Sequence, residues 1–428
     1  MAERINRIAL INLEGDLETL EPDASSRRKL TQGDRFFQFP AWSPDSKRLA
    51  VVGGNSERAG VFILNDDNAL IPTESDSTQT VFESANSAPI YCYWSPDGNH
   101  LSFIAIRPDD QSLGLHIAST KTSLLRQEQR TKLVALGRPC FWDWTPDGKR
   151  ILLHSGSWDN NPKLSMIDPF SPGTSGSIIA RPGSFQAPGI AHSGRYWAFG
   201  QTNRKNEVKL IVDSQNKQDR IEIQHEGLAA MSWSPVSDEL AYISPPEAMK
   251  TYYGPLRLLN AETGEVRMLS DEVVLAFFWS PDGKKIAYFT IAHVGEGVMR
   301  MLYPDPIDAA RDGGFRPKPR RNSDEANIEE DQPTLWLNVW VVDIETGDKQ
   351  LITTFEPVDI FVNQFLPFFD QYAKSHRIWS PDSNALVLPM LGFRNTGEPT
   401  AYVHVVSTDW RVPKRVIAEG LMAFWSQS

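Results

Sequence analysis

Short apolar runs separated by polar turns follow one another along this chain, and the clearest set lies between Val274 and Thr353. Leu275, Ala276, Phe277, Phe278 and Trp279 form one continuous apolar run. Its aromatic content suits a buried strand. Ser280-Pro281-Asp282-Gly283 reads as a turn, because proline presets φ, aspartate bonds nearby backbone and glycine tolerates positive φ. Ile286 to Phe289 then form a second strand, so the unit opens with a hairpin. Val339 to Val342, the turn Glu345-Thr346-Gly347 and Gln350 to Thr353 supply a third and fourth strand, and Leu256 to Leu269 repeats that second pair. No stretch sustains a helical period.

The hairpin carries a signature, Trp-Ser-Pro-Asp, which recurs at Trp42, Trp94, Trp144 (with Thr145), Trp233 (without the Asp), Trp279 and Trp379, with a clipped copy at Trp425-Ser426. A fixed period of about 45 residues with four antiparallel strands per unit predicts the blades of a β-propeller. One copy has decayed: Ile190-Ala191-His192-Ser193-Gly194 stands where a Trp signature is due, followed by Tyr196 to Phe199 as second strand. The long interval between Trp279 and Trp379 is accounted for by residues 293–333, read as a loop inserted between two strands of one blade, and by a second irregular excess at Phe355 to Lys374.

The chain starts one strand into a blade: Arg7 to Asn12, Asp16 to Glu21 and Arg27 to Thr31 match second, third and fourth strands. It stops on an unpartnered first strand, Leu421 to Ser426. The expectation is therefore one all-β domain over residues 1–428, an eight-bladed propeller closed by pairing the C-terminal strand with the N-terminal blade, with seven blades as the alternative. Closure hides strand edges.

The Trp-Ser-Pro-Asp-Gly hairpin followed by an apolar strand resembles the Pro-Asp propeller repeats of TolB-type proteins, and of the propellers in the prolyl-oligopeptidase family and the tricorn protease. It differs from the common WD40-like repeat in lacking Gly-His…Trp-Asp pairs at blade spacing. In the peptidases, the resemblance implies catalysis on a separate hydrolase domain. This chain has no Gly-x-Ser-x-Gly elbow; Gly173-Thr174-Ser175-Gly176-Ser177 lacks the last glycine. TolB-type relatives imply a docking role in the periplasm, whereas the start Met1-Ala2-Glu3-Arg4, with no apolar leader, reads as cytoplasmic.

Composition narrows the function. The formal net charge of −11 argues against nonspecific nucleic-acid binding, and no apolar run approaches membrane-spanning length. Most of the 13 Trp belong to the repeat, where packing between blades explains them. Cys92 and Cys140 stand at different offsets from their signature Trp, which disfavours a disulfide. No metal motif, phosphate loop or cofactor signature is present, so no catalytic residue, metal or cofactor is assigned. His154, His192 and His376 near strand ends are the residues of the runner-up reading, a channel-site lyase or hydrolase or a small-ligand binder. Asp143, inside Phe141-Trp142-Asp143-Trp144, is expected to pair with Arg138 or Arg150.

The favoured expectation is a noncatalytic interaction scaffold that binds a protein or peptide partner through rim loops. Its candidate contacts are Phe365, Phe368, Phe369 and Tyr372 in the aromatic segment, and Arg316, Lys318, Arg320 and Arg321 in the inserted loop. The plainer reading of the aromatic segment is a plug over the channel mouth or a pad between blades.

Overall fold

The computed structural model describes residues 5–66, 78–121, 130–156, 161–171, 176–183, 186–202, 208–214, 220–225, 227–246, 251–294 and 335–427. The architecture is all-β, a succession of antiparallel sheets of the kind that builds a β-propeller. Strands β1 (Ile8–Ile11), β2 (Leu17–Leu20) and β3 (Arg28–Lys29) form a meander. The next sheet holds β4 (Phe36–Trp42), β5 (Arg48–Gly54), β6 (Ala59–Asn65) and β7 (Thr78–Ser84). It is followed by β8 (Pro89–Trp94), β9 (His100–Ile106), β10 (Leu113–Ser119) and β11 (Thr131–Gly137). Then come β12 (Cys140–Trp144), β13 (Ile151–Ser155), β14 (Lys163–Ile167) and β15 (Ser177–Ala180). The decayed repeat makes β16 (Gly189–Ile190), β17 (Tyr196–Thr202), β18 (Val208–Ser214) and β19 (Ile221–His225).

A seven-stranded sheet comprises β20 (Ala230–Trp233), β21 (Glu239–Ile243), β22 (Gly254–Asn260), β23 (Val266–Trp279), β24 (Lys285–Val294), β25 (Leu335–Asp343) and β26 (Lys349–Phe355). Its long middle strand serves twice: Val266 to Val274 pair with β22 and Val274 to Trp279 with β24. The last sheet holds β27 (Ala385–Phe393), β28 (Pro399–Ser407) and β29 (Arg415–Glu419), with Trp379 bridging to Leu386 where a further strand is due. Finally β30 (Met422–Trp425) lies antiparallel to β1, Ile8 opposite Trp425 and Ile11 opposite Met422.

The signature builds both the turn and the contact between sheets. In each good copy the hydroxyl donates to the Asp carboxylate, Ser43 to Asp45 and Ser95 to Asp97 at 2.6 Å, and Ser280 to Asp282 at 2.7 Å. The Thr145 hydroxyl and the Lys149 amide hold Asp147 below the usual carboxylate range. The residue after the Asp takes positive φ, as Gly98 (67°) or, where glycine is missing, Ser46 (56°).

The indoles reach the neighbouring sheet in a repeating register. Trp94 Nε1 donates to the Ala41 carbonyl at 2.9 Å, Trp279 to Ser232 at 3.0 Å and Trp379 to Phe278 at 2.9 Å. Each acceptor is the residue just before the neighbouring signature Trp. Trp42 does the same across the chain ends, donating to Phe424 at 3.2 Å. Trp144 uses a relay instead, donating to Ser102 Oγ, which donates to the Tyr93 carbonyl.

At the decayed copy the pattern fails. Among the described residues, Trp233 Nε1, Trp197 Nε1 and the Gln186 side-chain amide find no hydrogen-bond partner. The Trp233 ring sits so close over Gly189 that a Cβ there would lie 2.9 Å from it.

Candidate functional site

Because strands alternate in direction, the signature turns lie at one end of the molecule. The segment from Glu356 to Arg377, which joins β26 to the Ile378 strand position, lies at the other. It is the second irregular excess of the sequence, and it is not extended loop but a run of tight helical turns: Phe361–Phe365, Leu366–Phe368 and Phe369–Tyr372. These turns seat their rings among the first strands of the sheets. Phe365 stacks on Phe278 at 5.3 Å and meets Phe424 at 5.4 Å; Phe369 meets Phe277 at 4.9 Å. Tyr372 packs against Phe39 at 4.7 Å and Tyr91 at 5.1 Å.

Polar bonds fix the same segment. Gln371 accepts from the Trp142 amide through Oε1 (3.2 Å) and donates to the Trp142 carbonyl through Nε2 (3.1 Å), as a strand neighbour would. Lys374 donates to Asp143 at 2.7 Å and to the Pro188 carbonyl at 2.7 Å. His376 Nε2–H donates to the Phe39 carbonyl at 3.0 Å, which leaves Nδ1 to accept from Ser375 Oγ at 2.6 Å. Tyr91 lies 2.7 Å from that same Oγ. Burial keeps His376 neutral, its pKa down at about 4. The segment therefore contacts β4, β8, β12, β23 and β30 and plugs the space among them.

Several sequence expectations meet this geometry. Phe365, Phe369 and Tyr372 are interior and their rings are taken up by the chain's own strands; Phe368 is half-buried. Arg316, Lys318, Arg320 and Arg321, with nearly all of the 293–333 insertion, lie outside the described residues. Asp143 does not pair with Arg138 or Arg150. Its partner is Lys374, distant in sequence, and it also accepts from the Ile190 amide at 2.9 Å and the Tyr93 hydroxyl at 3.2 Å. Arg138 donates instead to the Gln111 and Asp110 carbonyls.

The three histidines do not converge. His192 sits exposed in a signature-end turn, whereas His154 lies in β13 and His376 in the plug, both buried. His154 Nδ1–H donates to the Gln186 carbonyl at 2.7 Å. Among the described residues no group of three His, Cys, Asp or Glu side chains gathers to hold a metal ion. Cys92 and Cys140 are buried free thiols.

A feature that the sequence reading missed stands beside the plug. Between β25–β26 and the β27–β28–β29 sheet, a crevice of about 330 Å³ is lined by Trp336, Phe355, Met390, Phe393, Tyr402 and Val416, among others. Phe393 is 71% exposed, and Trp336, Leu391 and Val416 are 38–48% exposed. Such clustering of exposed large apolar side chains is unusual for a bare surface. The strands that wall it are long, nine residues each in β25, β27 and β28 against four to seven in most others. That extra length, readable as the runs Leu335–Asp343 and Ala385–Phe393, was the available signal.

No family model matches the chain, and no curated protein matches it. Solved structures do. A TolB from Acinetobacter baumannii is 19% identical over 61% of this chain, with a TM-score of 0.38, and the match spans 65% of that TolB. A prolyl endopeptidase is 10% identical over 87% of this chain and 54% of its own, with a TM-score of 0.44. A eukaryotic initiation factor is 10% identical over 99% of this chain and 100% of its own, with a TM-score of 0.52. That last likeness is one of fold. At these identities no activity comes with any of these likenesses.

Proposed function

We propose that the chain is a noncatalytic interaction propeller, one domain over residues 1–428, that binds a protein or peptide partner on the rim holding the plug. Eight blades are supported by the strand groups: β1–β3 with β30, four successive four-stranded sheets from β4 to β19, the two halves of the seven-stranded sheet, and Trp379 with β27–β29. Closure through β30 is supported by its pairing with β1 and by the Trp42-to-Phe424 bond, which continues the inter-sheet register across the termini. The observation that carries the functional reading is a contrast. The space among the first strands is filled by the chain's own rings, while large apolar side chains stand exposed at the rim.

The inserted loop 293–333, with Arg316, Lys318, Arg320 and Arg321, belongs to the same proposed face, because it connects Val294 of β24 to Leu335 of β25 at that end. Phe365, Phe369 and Tyr372 act in this reading as the floor that holds the rim rigid, with Phe368 nearest the surface. A cytoplasmic setting completes the proposal. It is supported by the two free thiols, and no helix among the described residues is long and apolar enough to cross a membrane.

The test is affinity capture with three baits: the intact protein, Phe393→Ser, and a deletion of residues 295–332. A partner recovered by the intact protein and lost from either variant is expected. Equal recovery by all three would remove this rim from the reading.

A further inference from the structure

The crevice beside the plug has a charge pattern that narrows what it can hold. Lys414 reaches into it, its Nζ 3.9 Å from the Met390 sulfur, and no carboxylate among the described residues is paired with it. The neighbouring cations are committed elsewhere: Arg394 to Glu419, Arg411 to Asp409 and Arg415 to the Pro22 carbonyl. His404, also in the lining, donates Nδ1–H to the Tyr402 carbonyl at 3.2 Å. Burial, with Lys414 adding to it, holds His404 below its ordinary pKa, so Lys414 is the cation of the crevice at neutral pH. Glu356 lies in the lining, outside ion-pair distance of Lys414. Lys414 is exposed, so water shares its charge, and the complement to an ammonium set against a thioether and aromatic walls is a carboxylate flanked by apolar surface.

We propose that this crevice docks an extended peptide segment of a partner protein, seating an aromatic or leucine side chain between Trp336 and Phe393 and an adjacent carboxylate on Lys414. The proposal rests on the rim reading above and gives it a ligand class. A volume of about 330 Å³ suits one or two large side chains, not a globular surface. Phe393 and Trp336 supply the ring faces that such anchors use.

The experiment uses the full chain and three labelled synthetic pentapeptides, identical except that a Leu-Phe pair is followed by aspartate, asparagine or lysine. Fluorescence polarisation should rank aspartate above asparagine above lysine. The outer two should differ by at least about tenfold and the gap should shrink as salt is raised. Lys414→Glu should invert the order. Phe393→Ser should weaken the aspartate peptide by about tenfold with an unchanged melting curve, since the side chain is largely exposed.

Equal binding of all three peptides, lost in Phe393→Ser, would overturn the acidic ligand while leaving the rim reading intact. No binding of any peptide, with bait capture still dependent on Phe393, would overturn the peptide mode alone. Dimerisation seen by sedimentation and lost in Phe393→Ser would overturn the proposal in favour of a second copy of this chain.

Discussion

At the scale of single residues, the interior holds charge in two different ways. Asp143 is met by an ammonium, an amide and a hydroxyl. Asp370, one helical turn before Lys374, is buried with no ion-pair partner among the described residues, and burial raises its pKa from 3.8 to about 7 despite the opposing field of Lys374 and the backbone amide of Ala187. The native state therefore holds a proton that the unfolded chain releases between those two values. Stability from this group is full below pH 4 and declines as pH rises toward 7. His154 and His376, held at about 4 by burial, act in the opposite sense, removing stability as pH falls through 6.5 toward 4. Comparing Asp370→Asn with the parent isolates the aspartate. Thermal denaturation across pH should show the variant gaining up to a few kcal/mol above pH 7 and nothing near pH 4.

At the scale of elements, the plug is the part whose removal reaches most neighbours. Lys374→Met would leave the Asp143 carboxylate buried without its cation. Such loss costs about 3–5 kcal/mol, to be read as a lowered denaturant midpoint, and Lys374→Met combined with Asp143→Asn should recover part of it. The hairpins were legible in advance because most carry their own local instruction: a continuous apolar run, a Ser-Pro-Asp turn and a second apolar run. The plug was legible only as an aromatic-rich irregularity. Its turns are three to five residues long, too short to show a helical period, and its bonds reach partners hundreds of positions away, as Gln371 reaches Trp142. The same separation hid the Asp143 partner, since Arg138 and Arg150 were near in sequence and Lys374 was not. The crevice went unread because it is a gap between two sheets, and a gap has no residue of its own.

At the scale of the whole molecule, the two ends of the chain share one sheet. Trp425 also donates its indole to Asn6 at 2.6 Å, and Ser426 donates to the Ile5 carbonyl at 2.6 Å. Deleting residues 421–428 would strip β1 of a neighbour and leave the Trp42 indole and the edge of the N-terminal sheet unpaired. Loss of a single sharp melting transition, and a shift to aggregates in size-exclusion chromatography, is the expected result. A truncated chain that melts as sharply as the parent would show that the terminal strand is dispensable. This pairing of the terminal strands was visible in the sequence because the unmatched strands at the two ends complement each other.

The sheet that lost its signature Trp bears on durability. With a first strand of only two residues, the Trp233 indole N–H left without an acceptor and a glycine beneath that ring, the boundary between β16 and β20 is thinly held. Wear on a molecule of this kind begins at its thinnest joint, so heat, denaturant or a protease gains entry there before it loosens the paired termini.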